Sequence, residues 1–220
     1  IAKNVIAAFE GFEAVVGPSG SCMGTLRHDY PALFADDPAW RARAEDLSRR
    51  SHELLSFLVD VLKVERIDAR YDGKVTYHDS CAGLREMGIK AQPRRLLARV
   101  EGLELVEMHG TEECCGFGGT FCVKYPEIST KMVDDKIAHI EASGAGTVLG
   151  GDLGCLLNVA GRTKRRGLPL RVIHAADATG RAMETTLEAQ VRRHPNITLH
   201  ENHIAIDLIT RRKLGEQRPD

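Results

Sequence analysis

Apolar runs that stop at Gly, Asp or Cys alternate along the chain with segments whose apolar residues recur at helical spacing. The stretch EAVVGPSGSC (13–22) reads as a strand followed by a turn. Residues 41–64 read as one helix, with Leu47, Leu54, Leu58 and Val61 near helical spacing. In GKVTYHDSC (73–81), Val75 and Tyr77 alternate with polar neighbours before the chain breaks at Asp79-Ser80-Cys81, the pattern of a strand. PRRLLARVEG (93–102) predicts a helix with Pro93 near its first turn and Gly102 beyond its end. LELVEM (103–108) predicts a strand, and EISTKMVDDKIAHIEASG (127–144) a helix stopped by Gly144. TVLGGDLGC (147–155) is a strand with a sharp exit, and LPLRVIHAA (168–176) is another strand.

This alternation predicts an α/β fold, a mainly parallel sheet with helices on both faces. Cys22, Cys81 and Cys155 each fall just after a predicted strand, and Cys114 and Cys115 follow the strand 103–108 by a short loop. Ligands of open α/β sheets collect at the carboxyl ends of the strands. Cys81, Cys114, Cys115 and Cys155, far apart in sequence, are therefore expected to meet at one edge of the sheet.

Composition narrows the function classes. The 220 residues carry a net charge of -1, which gives no general attraction to nucleic acid or to a membrane surface. The short basic clusters Arg94-Arg95, Lys164-Arg165-Arg166 and Arg211-Arg212-Lys213 read as solvated helix ends and loops. No apolar run approaches the roughly 20 residues of a bilayer span, and no signal peptide is visible. The chain opens on Ile1 inside an amphipathic pattern, which reads as a start within a longer sequence. Six cysteines are too sparse for a secreted disulfide scaffold, so a cytoplasmic protein with metal or redox cysteines is expected.

The segment TEECCGFGGTFC (111–122) concentrates that chemistry. Buried free cysteine is one reading, and it suits Cys122 better than Cys114 and Cys115, which sit between acidic residues and glycines. Structural zinc favours two short-spaced pairs, whereas the close pair here is directly adjacent. A Cys114–Cys115 disulfide is a third reading, strained by its short loop. In an iron–sulfur cluster the irons are spread apart, so adjacent thiolates can bind different irons. Gly116, Gly118 and Gly119 then allow close backbone approach and aim N–H groups at sulfur. Cluster ligation accounts for the adjacency and the glycines together.

HDSC (78–81), CCGFGGTF (114–121) and GGDLGCLLN (150–158) resemble the second cysteine-rich repeat of the CCG-domain iron–sulfur family, which includes lactate-utilisation and glycolate-oxidase iron–sulfur proteins. The resemblance implies metal ligands at Cys81, Cys114, Cys115 and Cys155, with Gly116, Gly118 and Gly119 beside the cofactor. Asp152 stands where the family's closing Cys-x-x-Cys has its first cysteine. That makes a 4Fe–4S cluster on the four thiolates the expectation, with Asp152 either an assisting ligand or the cap of a following helix. His78 is a candidate neighbour donating to the cluster. VVGPSGSCMGTLRHDYPALFADDPAW (15–40) resembles the end of the first repeat, in which Cys22 is the last ligand; the rest of that repeat would precede Ile1.

The resemblance divides the chain into residues 1–68, the remnant of a first repeat with connecting helices, and 69–173, a second cysteine-rich domain. Residues 174–220 form a tail similar to an internal segment of L-aspartate oxidase, predicted as a helix over 179–193 and strands at 197–201 and 205–210. The tail lacks a Gly-x-Gly-x-x-Gly fingerprint, so no flavin binding is expected from it. Its histidines read as ordinary surface or core residues. The function implied is an iron–sulfur electron-transfer component of an L-lactate or related 2-hydroxy acid oxidising complex. Its partners would be the iron–sulfur and other subunits of that complex, with substrate chemistry not carried by this chain alone. The competing reading is a non-catalytic metal-binding or interaction module.

Overall fold

The computed structural model of the chain describes residues 1–174; the predicted elements of the tail lie outside them. Among the described residues, six strands form two parallel sheets. Strand β1 (Val15–Gly17) pairs with β2 (Ser51–Glu53). Strands β3 (Arg70–His78), β4 (Glu101–Leu105), β5 (Thr147–Gly150) and β6 (Arg171–His174) form a sheet in the order β4-β3-β5-β6. All neighbours in that sheet run parallel, with His78 opposite Gly150 at the carboxyl ends of β3 and β5. The predicted α/β class is therefore observed, with helices flanking parallel strands.

The central strand β3 explains the layering. Its last four residues, Val75 to His78, are all buried, as expected for a strand covered on both faces. On one face Met108, Cys115, Val133, Ile137, Ile140, Val148 and Val159 form a core between the sheet and the helices Pro126–Ser143 and Leu153–Arg165. On the other, Tyr77 and Leu149 meet Leu55, Pro93 and Leu96 around an apolar cavity of about 220 Å³. Ile6, Val15, Met23, Phe34, Ala44 and Leu47 make a separate core in the N-terminal part.

Local signals set the helix ends. Pro126 opens the long helix and Gly144, at φ 72°, closes it in the left-handed conformation. Asp152 caps the helix Leu153–Arg165, whose last turn carries Arg162, Lys164 and Arg165 against the negative end of its dipole.

Three predicted elements differ in detail. The helix expected over 41–64 stops at Arg50, and β2 interrupts it. There the backbone exchanges helical hydrogen bonds for pairing with β1, the Ser51 hydroxyl donates to Leu47 O at 2.8 Å, and the Glu53 carboxylate starts a new turn at Leu54. The helix expected over 93–102 spans Ala91–Leu97. Gly102 then lies inside β4, which starts two residues earlier than expected and ends at Leu105. Among the described residues no helix is long and apolar enough to cross a membrane.

Candidate metal centre

The site forms where the chain leaves β3 and β5. After His78, Asp79 and Ser80 turn the chain, and the Ser80 hydroxyl accepts from Gly83 N at 3.2 Å to cap the helix Cys81–Arg85. Cys81 is thereby fixed at the first helical position. After Gly150, Asp152 caps the neighbouring helix and Cys155 sits at its third position. The loop following β4 returns over these two corners carrying Cys114 and Cys115. Asn158 Nδ2 holds that loop through Cys115 O at 2.9 Å, and the Ser129 hydroxyl holds it through Gly116 O at 2.7 Å.

Cys81, Cys114, Cys115 and Cys155 line one open cavity of about 340 Å³, together with Gly118, Gly119, Asp152 and Ser21. None of the four is in a disulfide. Cys115 forms the buried end, at 1% exposure. Gly116 does not line the cavity, but its N–H donates to Cys114 Sγ at 3.4 Å. Its φ is 81°, and a Cβ there would lie 2.6 Å from Ser129 O, so only glycine allows this backbone path.

Asp152 faces the cavity as a cap. One carboxylate oxygen accepts from Gly154 N at 3.1 Å, and the other accepts from the hydroxyls of Ser19 and Ser21, each at 3.1 Å. Cys22 is exposed and does not line the cavity. Cys122 is half-buried rather than buried, and its thiol donates to Gly119 O at 3.0 Å.

His78 belongs to the buried end. It is 1% exposed, and one of its ring nitrogens, Cys115 Sγ and Cys155 Sγ all lie within 4.8 Å of one another. Neither ring nitrogen has a hydrogen-bond partner among the described residues. The thiols are unequal. The Cys155 thiol, donating to Cys115, draws the Cys115 pKa down to about 4 against the effect of burial, with His78 adding to the pull. Cys155 is pushed up in return, by that same hydrogen bond and by burial. Burial, followed by the neighbouring Cys114, raises Cys81 to about 11. The pocket thus favours a thiolate at Cys115 and thiols at Cys81 and Cys155, and binding a thiophilic metal displaces protons from those two.

Four convergent thiols and an unsatisfied imidazole suit a soft, thiolate-bound group such as an iron–sulfur cluster, and suit hard oxygen-seeking cations poorly.

Sequence reading missed two supports. Arg94 forms a two-pronged ion pair with the buried carboxylate of Asp79, at 2.8 and 2.9 Å, beneath the Cys81 turn. Lys136 is 1% exposed and donates to Gly110 O in the cysteine loop. Its place beside Val133, Ile137 and Ile140 on the apolar stripe was the signal for it.

Residues 75–160 match the family model described as CCG, cysteine-rich domain, and the fold and site accordingly define a cysteine-rich domain protein. The chain is 47% identical over 175 residues to lactate utilization protein A of Oceanobacillus iheyensis, an alignment covering 80% of this chain and 71% of that protein. It is 50% identical to the protein of the same name in Geobacillus kaustophilus, covering 80% and 73%. A third, from an Exiguobacterium species, is 48% identical over 179 residues, covering 80% and 73%. The chain belongs to the lactate utilization protein A family.

Proposed function

We propose that the chain is an iron–sulfur electron-transfer component of a system that oxidises L-lactate or a related 2-hydroxy acid. It would act with partner subunits in the cytoplasm rather than as a stand-alone enzyme. The observation that carries this reading is the convergence of Cys81, Cys114, Cys115 and Cys155 on one cavity. The names of the relatives supply the substrate class.

These four cysteines would hold the cluster as the ligands of a 4Fe–4S group, which when bound supplies one-electron transfer. The chain's own contribution is to orient and shield. The cap residues Ser80 and Asp152 fix two cysteines at helix starts, and the Gly116 N–H donates to Cys114 sulfur, a contact that tunes potential. Phe117 lines the cavity, and Cys115 is buried from solvent.

Anaerobic reconstitution with iron and sulfide tests the proposal. A broad brown absorbance with bound iron and sulfide is expected. Tight uptake of zinc alone, with no coloured species formed from iron and sulfide, would replace it with the reading of a non-catalytic metal-binding module.

A further inference from the structure

We propose that His78 is itself a ligand of the metal centre, one ring nitrogen binding iron at the buried end beside Cys115 and Cys155. The inference rests on the cluster reading above and adds a nitrogen donor to its four thiolates.

Three observations carry it. First, the alternation of β3 aims His78 at the site: Thr76, two residues earlier on the same face, has its hydroxyl oxygen accepting from Met108 N at 3.2 Å. Second, both His78 ring nitrogens are buried without a partner among the described residues, although a neutral imidazole has one N–H to donate and one lone pair to place. Once the neighbouring cysteines are deprotonated, as cluster binding requires, they can accept the N–H but have no proton to give the lone pair. A metal does. Third, Asp152, the residue standing at the fifth-ligand position, has both carboxylate oxygens engaged by Gly154, Ser19 and Ser21. His78 is the remaining donor whose nitrogen already lies within 4.8 Å of two of the thiol sulfurs.

The step is simple ligation. The neutral ring gives its lone pair to iron, keeps its other N–H, and exchanges no electron.

The test uses the full chain with 15N-labelled histidine, reconstituted anaerobically with iron and sulfide, reduced, and read by electron–nuclear double resonance. One strongly coupled nitrogen is expected, with its signal absent from His78→Gln. Coloured wild-type protein showing only the several-fold weaker coupling of a hydrogen-bonding nitrogen overturns the proposal and leaves the cluster reading intact. Wild-type protein that takes up no iron overturns both. Should His78→Gln fail to hold iron, His78→Cys decides. Restored iron content, no nitrogen coupling and a lower midpoint potential support ligation, since histidine for cysteine raises cluster potentials. Failure of His78→Cys to restore iron overturns it.

Discussion

Ser19 donates its hydroxyl to the carboxylate of Asp152 at 3.1 Å, across 133 positions of sequence. The two residues occupy matching places. Ser19 precedes the helix Gly20–Gly24 after β1, and Asp152 precedes the helix Leu153–Arg165 after β5; in both, a cysteine is the third helical residue. One corner therefore braces the other. Ser21 adds a second bond to the same carboxylate oxygen and lines the cavity, so the N-terminal segment supplies part of its wall.

This bracing predicts a ranking at position 152. Asp152→Ala removes a cap and the acceptor for two hydroxyls, and should cost about 1–2 kcal/mol of stability. Asp152→Asn keeps a capping oxygen and can donate to the serines, so a loss under about 0.5 kcal/mol is expected. Urea unfolding of the metal-free chains checks the order. An Asn variant as damaged as the Ala variant would point to a role for the charge itself.

The cysteines divide by position. Cys115 forms the inner end of the cavity, whereas Cys122 lies outside it with its thiol on Gly119 O. Cys115→Ser should lose most of the iron bound after reconstitution, and Cys122→Ser should bind as much as the wild type. Iron and sulfide analysis per chain reads the difference, and equal losses would remove Cys115 from the ligand set.

Gly116 and Gly119 separate space from conformation. Both have positive φ, 81° and 58°, but a Cβ at Gly116 would meet Ser129 O at 2.6 Å, while Gly119 faces open space. Gly119→Ala should cost about 1–2 kcal/mol, the left-handed penalty alone. Gly116→Ala should cost more, because that penalty is joined by displacement of a backbone carbonyl. Thermal unfolding of the two variants gives the ranking; equal losses would mean that the loop moves freely away from the helix.

Much of this arrangement was legible in sequence because strand exits are abrupt. Cys81 and Cys155 follow apolar runs that end at polar or glycine residues, and strand ends in a parallel sheet share one edge. The break at Ser51 was not legible. Leu47, Leu54 and Leu58 keep helical spacing across it, and the strand exists only through pairing with Val15–Gly17, a tertiary effect. Alternation marked His78 as facing away from Tyr77 but could not say which face held the cysteines. The Arg94–Asp79 pair joins a helix to a strand exit, and nothing local in sequence signals it.

That ion pair yields a further expectation. The Asp79 side chain is 0% exposed, and Arg94 also binds Glu107. Arg94→Met would leave a buried carboxylate unpaired, a change that typically costs about 3–5 kcal/mol. Adding Asp79→Asn should recover part of the loss. Lysine cannot reproduce the two-pronged contact, so Arg94→Lys should fall between wild type and Met. A double-mutant cycle on unfolding free energies measures the coupling; additive losses would show that the pair contributes nothing beyond its separate members.

Glu53 sets a pH dependence at the other side of the Ser80 turn. It is 3% exposed, and one carboxylate oxygen accepts from Leu55 N at 2.8 Å and Ser56 N at 3.1 Å. Among the described residues no basic side chain forms an ion pair with it. The groups facing it across a small chamber are Tyr77, Ser80 and Asp79, the last already held by Arg94. Burial raises its pKa to about 7, opposed by the two backbone N–H groups. An acid raised in the fold is one that the native state holds protonated. Its contribution is complete below the ordinary carboxylate range, declines as pH rises from about 4.5, and is gone above about 7. At about 1.4 kcal/mol per pKa unit, the full swing is on the order of 3 kcal/mol. Glu53→Gln keeps an oxygen for the two N–H groups and removes the titration. The stability of the Gln variant relative to wild type should therefore climb by that amount between pH 4.5 and pH 8, measured by urea unfolding of the metal-free chains. All other carboxylates contribute equally to both curves and cancel in the difference. Parallel curves across the window would mean that Glu53 titrates in the folded chain as it does in water.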